Sequence, residues 1–193
     1  MNVGACASAV GGTDEPMSMA QRARTALDEL SEAQLRYELL LLATALAWCA
    51  GIIHAVVSVD HFREYVPYGV FFAVLAPLQV GWGVVAYRRP RRHLLLAGAA
   101  GNLAVVALWI ASRTVGLPVG PEAGHPEAAG VVDVLAGADE LLLAVLVVAL
   151  LRLRDGTLGL SLRALRILAS GGAYALMVGS LVALLLGAHH HAG

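Results

Sequence analysis

Histidine and carboxylate side chains occur together where the first long apolar run of this chain ends. The run begins at Leu39, and His54, His61 and Glu64 lie in its last turns and just beyond them. Imidazole and carboxylate groups bind metal ions and exchange protons near neutral pH. An ionisable group inside an apolar segment is rare and usually functional, so His54 is the strongest single candidate.

The spacing of these residues limits how they act together. His54 and His61 are seven residues apart, so a helix presents them on nearly the same face but about 10 Å apart along its axis. A regular helix therefore cannot bring both imidazoles to one ion. His61 and Glu64 are three residues apart and could share a site, as Glu-x-x-His pairs do in helix bundles. Alternatively, residues 58–66 form an ordinary polar loop at a membrane surface.

The elements that must position these residues are membrane helices. The chain is 59% hydrophobic and 14% charged, whereas a soluble domain has about 45–50% apolar and about 25% charged residues. Five apolar runs are long enough to span a bilayer, which requires about 20 residues in helical form. The predicted fold is an all-α integral membrane bundle with spans at about 39–59, 68–87, 94–112, 131–153 and 165–188.

The N-terminal residues 1–38 are predicted to form a cytoplasmic tail with a short surface helix. Ser18 with Gln21, and Ser31 with Gln34, have the spacing of a capping box, in which each side chain bonds the other residue's backbone N–H. This helix either lies along the membrane or leads into the first span, and we favour the second arrangement.

Arginine placement predicts the orientation of the bundle. Eleven of the 13 arginines lie in the N-terminal tail, in the link after the second span and in the link after the fourth; only Arg63 and Arg113 lie on the opposite side. Basic residues concentrate on the cytoplasmic side, so we expect a cytoplasmic N-terminus and an extracytoplasmic C-terminus in a bacterial plasma membrane. Six of the seven histidines then lie on the outer side: His54, His61, His125, His189, His190 and His191.

Further polar residues lie within the predicted spans. Gln79 follows Pro77 in the second span, Asn102 is central in the third, and Asp133, Asp139 and Glu140 lie in the fourth. Buried carboxylates are costly in hydrocarbon and should face the bundle interior with partners. Asp133 and Glu140 repeat the spacing of seven, so two helices are expected to present polar stripes. If the fourth span begins nearer residue 137, Asp139 and Glu140 would instead lie at the interface.

A long loop, residues 113–130, joins the third and fourth spans and contains three prolines. Loops of this length are usually functional or disordered, and prolines reduce the freedom lost on ordering. We expect it either to fold over the outer helix ends as a lid or to remain a floppy external segment.

These motifs resemble a family of small polytopic membrane proteins from actinobacteria. The resemblance rests on three motifs and covers roughly residues 40–191. They are His54-x6-His61-Phe62-x-Glu64, a glycine-rich second helix with Phe71, Phe72 and Gln79, and Ser112-Arg113-Thr114-x-Gly116-Leu117-Pro118-x-Gly120-Pro121 followed by Pro126-Glu127. That family is functionally uncharacterised, so the resemblance implies the architecture and these residues but no activity.

Four functional hypotheses follow. The leading one is a copper or zinc site near the outer face, built from some of His54, His61, Glu64, Glu140, His189, His190 and His191, and serving metal handling, assembly of another membrane or envelope protein, or a small metalloenzyme.

The others are haem held by His54 and a terminal histidine, a channel, transporter or proton relay using Gln79, Asn102, Asp133, Asp139 and Glu140, and a structural subunit in the lipid bilayer. An engineered origin for the terminal histidines stays open. The sequence contains no phosphate-binding glycine loop, no Gly-x-Ser-x-Gly and no nucleic-acid signature.

Overall fold

A computed structural model describes residues 18–190, with side chains described through residue 186. It contains five helices: α1 (Met19–Glu64), α2 (Val66–Arg88), α3 (Arg92–Thr114), α4 (Val131–Arg154) and α5 (Leu162–His190). All five are long and apolar enough to cross a membrane. The prediction of an all-α bundle of five apolar helices is therefore confirmed.

Helix α1 is a single helix of 46 residues. Ser18 and Gln21 form the expected capping box at its start, but Ser31 and Gln34 lie inside the helix and cap nothing. The segment predicted as a short N-terminal surface helix is thus part of the same helix as the first apolar run. At ~1.5 Å per residue α1 is about 69 Å long, about twice the ~30 Å hydrocarbon core, so part of it extends beyond the bundle.

The other helices pack around α1. It lies along α2, α4 and α5, while α3 packs mainly against α4. We call the end with the Arg89–Arg91 link and the α4–α5 link the arginine end. The opposite end, with the α1–α2 turn and residues 115–130, is the loop end.

A glycine allows the closest approach at the α1–α2 turn. A methyl group added at Gly69 would lie 2.2 Å from the Phe62 ring and 2.7 Å from the Phe62 Cα. Contacts this close have no room for a larger residue, and small residues are the usual means by which membrane helices pack closely. The first two helices are thereby held together beside His61.

The apolar core fills the half of the bundle nearer the arginine end. Its largest fully buried side chains there are those of Leu35, Leu39, Leu46, Leu95, Leu143, Leu146 and Val147. Burial of a side chain of this kind contributes about 1.5–3 kcal/mol where it is withdrawn from water. Toward the loop end this packing gives way to polar side chains and a cavity.

Candidate functional site: a cavity with a buried His–Glu pair at its floor

A buried histidine and a buried glutamate meet near the middle of the bundle. The Nε2 atom of His54 on α1 lies 2.8 Å from Oε1 of Glu140 on α4. Their side chains are 4% and 2% exposed, respectively. Gln79 on α2 donates from Nε2 to the same Glu140 oxygen at 3.1 Å. Helices α1 and α2 therefore each place one polar side chain against a single carboxylate of α4.

The fourth helix joins this cluster through Asn102 on α3. Gln79 Nε2 also lies 3.4 Å from Oδ1 of Asn102, and Asn102 donates from Nδ2 to the backbone oxygen of Gly98 at 2.8 Å. Both amides are at least nine-tenths buried. Buried polar groups require such partners, because a lost hydrogen bond there costs about 1–3 kcal/mol.

The hydrogen bonds constrain the arrangement of the pair. With Glu140 ionised, its Oε1 accepts from both Gln79 and Nε2–H of His54. The other ring nitrogen, Nδ1 of His54, is buried and has no hydrogen-bond partner among the described residues.

A cavity of about 510 Å³ lies above the pair, between α1, α2, α3 and α4 at the loop end. His54 and Glu140 are at its inner end, and its walls are mainly apolar. Five aromatic residues line it: Tyr65, Tyr68, Phe71, Phe72 and Trp109. A concave, mostly apolar volume with a few convergent polar groups is the usual form of a small-molecule site.

The loop of residues 115–130 completes the wall of this cavity. Tyr68 donates its hydroxyl hydrogen to the Val119 carbonyl at 2.6 Å, and Glu127 N–H bonds the Ser112 carbonyl at 3.0 Å. Gly120 has a φ of 102°, and a methyl group there would lie 2.3 Å from the Tyr68 hydroxyl. Only glycine fits this close approach in this backbone conformation.

Arg113 fixes the mouth of the cavity. Its guanidinium binds the carboxylates of Glu127 in the loop and of Asp133 on α4, the latter at 3.0 Å. The Arg113 side chain is 17% exposed. Ion pairs that bridge two segments in a partly buried place are stronger than surface pairs. The loop is thus tied to the ends of both α3 and α4.

The two histidines of α1 do not converge. The helix is unbroken from His54 to Glu64, and the Phe72 ring contacts both imidazoles, with centroids 5.2 Å from His54 and 4.4 Å from His61. His61 also lines the cavity, and its Nδ1 lies 3.2 Å from Oε2 of Glu64. The structure therefore places His54 at the floor and the His61–Glu64 pair near the mouth.

The neighbouring carboxylate, Asp139, belongs to a different environment. It is fully buried and accepts a hydrogen bond from the Ser180 hydroxyl on α5 at 3.2 Å, with Cys49 of α1 beside it. Consecutive residues on a helix point about 100° apart, so Glu140 faces the cavity while Asp139 faces α5. Of the four residues expected along a polar path, Gln79 and Asn102 contact each other, whereas Asp133 and Asp139 have other partners.

The described residues contain no group of three or more histidine, cysteine, aspartate or glutamate side chains suited to a metal ion. His125 lies exposed in the loop, with Nδ1 3.2 Å from the Ala123 carbonyl oxygen. The side chains of His189, His190 and His191 lie outside the described residues, so their part in the predicted site stays a prediction.

Several residues of this site were missed by the sequence analysis. Trp109 is an ordinary apolar helix residue in the sequence, and nothing in the spacing of Phe72 or Trp109 marks them as cavity walls. Arg113 was used for topology and as part of the loop motif, although a lone arginine followed by a loop carrying carboxylates is a pattern that could have predicted the Glu127 contact. Ser180 gave no signal.

Comparison with known proteins supplies no assignment: no protein-family model matches the chain, and no curated protein or solved structure was found to be similar to it. The resemblance to an actinobacterial family therefore stays a prediction. The function has to be argued from the geometry.

Proposed function

We propose that this multi-pass membrane protein binds a small lipophilic molecule in the cavity at the loop end, with the His54–Glu140 pair recognising its polar group. One observation carries the proposal: a buried, directly bonded histidine and glutamate form the floor of a 510 Å³ apolar cavity. Burial of ionisable groups in a membrane segment costs free energy, and such groups are usually functional. The size and apolar lining of this cavity suit the binding of a ligand.

The arginine distribution supports an orientation for this site. With the arginine end in the cytoplasm of a bacterium, the cavity opens toward the extracytoplasmic side of the plasma membrane. The exposed apolar faces of the helices then contact the lipid bilayer. A ligand can reach the cavity from the outer leaflet or from the outer aqueous phase.

The packing favours a binding site over a channel or a relay across the whole membrane. Below the His54–Glu140 level, the described part of the bundle is filled by tightly packed apolar side chains such as Leu39, Leu46 and Leu143. The polar cluster thus ends within the bundle. A site that is open at one end suits capture of a ligand from that end.

The metal and haem hypotheses stay predictions, and the His54–Glu140 contact restricts which nitrogen of His54 could bind a metal. Nε2 of His54 is bonded to Glu140, so a metal or haem iron would be bound through Nδ1 unless the pair opens. Further ligands would come from the terminal histidines. Elemental content and absorbance near 400 nm of tag-free protein test this: stoichiometric copper, zinc or haem iron that disappears in His54→Ala would favour it over the proposal.

Binding of a neutral apolar probe, 2-(1-naphthyl)ethanol, tests the proposal. The protein is placed in nanodiscs of zwitterionic lipid, and binding is measured by equilibrium dialysis against empty nanodiscs. Ala136 on α4 lines the cavity, so the ring introduced by Ala136→Phe should occupy part of it and weaken saturable binding severalfold. The matched control is Ala73→Phe, which adds the same bulk at an exposed position of α2 outside the cavity lining. Equal binding by the two variants, or none by the wild type, would overturn the proposal.

A further inference from the structure

The ionisable residues that line the cavity carry an excess of negative charge. Glu127, Asp133 and Glu140 contribute carboxylates, and Arg113 is the guanidinium that faces them. With neutral histidines, one positive and three negative charges give a net charge of −2. A cavity with low-dielectric walls strengthens the field of such charges, and the field favours a positively charged occupant.

These charges are distributed unevenly. Arg113 is bound to both Glu127 and Asp133 at the mouth, so those two carboxylates share its charge. Glu140 at the floor is bonded to His54 and Gln79 and has no cationic arginine partner. The deepest charged group facing the cavity is therefore a carboxylate whose partners are a histidine and an amide.

The walls offer a second feature that suits a cation. The five aromatic rings that line the cavity come from the α1–α2 turn, from α2 and from α3. The face of an aromatic ring attracts a cation, and the attraction grows as the site becomes desolvated. The same rings provide apolar surface for the remainder of the molecule.

The partners of Glu140 among the described residues leave its charge without a cation. His54 lines the cavity floor with its Nε2 2.8 Å from Oε1 of Glu140, and Gln79 donates to the same oxygen. A ligand that carries a positive charge therefore supplies what the described residues around this carboxylate do not.

We propose that the occupant is a lipophilic amine in its protonated form. Its positive charge is balanced by the carboxylates that line the cavity, with Glu140 at the floor, and its apolar body lies against the aromatic walls. This inference rests on the proposed function and adds the chemical class of the ligand.

Three naphthyl probes of similar size test the charge class: 2-(1-naphthyl)ethylamine, 2-(1-naphthyl)ethanol and 1-naphthaleneacetate. Each is dialysed to equilibrium with the full-length protein in zwitterionic nanodiscs, with empty nanodiscs subtracted. We expect the amine to bind about tenfold more tightly than the alcohol, and the carboxylate to bind most weakly. Glu140→Gln should remove most of the preference for the amine over the alcohol, so that the two affinities become nearly equal.

Helical circular dichroism reports whether each variant is folded. Asp133→Asn at the mouth provides a second variant, and a smaller loss of amine affinity is expected there. Equal affinity for amine and alcohol, or tightest binding of the carboxylate, overturns the inference but leaves the proposed function standing. No saturable binding of any probe overturns both.

Discussion

Removal of one member of the buried pair should destabilise the bundle almost as much as removal of both members. In His54→Leu, the Glu140 carboxylate keeps only the Gln79 donor at 3.1 Å. A hydrogen bond to a charged group contributes about 1.5–3 kcal/mol, so we expect a loss of about 2–3 kcal/mol. Glu140→Leu leaves the His54 and Gln79 donors unpaired and should cost about the same.

The double variant leaves no buried charge behind. Replacement of a buried pair by apolar residues is often nearly neutral, but Gln79 still loses its acceptor, so we expect a total loss of about 3 kcal/mol. The two single losses would sum to about 5 kcal/mol, which gives a coupling energy of about 2 kcal/mol. Double-mutant cycles in a membrane protein average about 0.6 and reach about 1.7 kcal/mol, so this pair should lie at the upper limit.

The assay is reversible unfolding by SDS in mixed micelles, followed by the loss of helical circular dichroism. The control cycle uses His61 and Glu64, which lie 3.2 Å apart with side chains 28% and 42% exposed. Exposed pairs on one helix contribute about 0.5 kcal/mol or less. A coupling energy at His54–Glu140 no larger than that of the control would refute the argument that the pair is buried and bonded.

Three further predictions follow from the packing. Gly98→Ala should lower the unfolding free energy by about 1–3 kcal/mol in the same assay, because the added methyl group would lie 2.1 Å from the Trp82 ring. The control is Gly101→Ala, which should be tolerated because no atom lies within 4 Å of the added methyl group. Arg113→Met should release the loop from α4 and speed proteolytic cleavage within residues 115–130 severalfold; an unchanged rate would show that the ion pairs do not hold it. Ser180→Ala should lower stability by about 1 kcal/mol through the lost bond to Asp139, and a neutral result in SDS unfolding would contradict that bond.

The helices could be predicted from sequence because hydrophobic length alone determines what spans a bilayer. The buried position of Glu140 also followed from the apolar residues that precede it. Its pairing with His54 did not, because it depends on how two helices are rotated about their own axes. Adjacent residues such as Asp139 and Glu140 differ in partners for the same reason.

The continuity of α1 and the shape of the loop lay beyond sequence reasoning for different reasons. Ser31 and Gln34 carry a capping pattern, yet the helix passes through them because its backbone bonds are already satisfied. The loop conformation depends on contacts with Tyr68 and Arg113, which are distant in sequence from the residues that they hold. The turn residues predicted that the loop is irregular, but they did not predict that it forms part of the cavity wall.

Photolabelling tests the central claim most directly. A diazirine derivative of 2-(1-naphthyl)ethanol is irradiated with the protein in zwitterionic nanodiscs, and the labelled peptides are identified by mass spectrometry. Our account predicts label on the cavity residues Val57 and Trp109, displaced by excess unlabelled probe and reduced in Ala136→Phe. Label confined to lipid-facing positions such as Leu78 and Leu185, with no displacement by unlabelled probe, would contradict it.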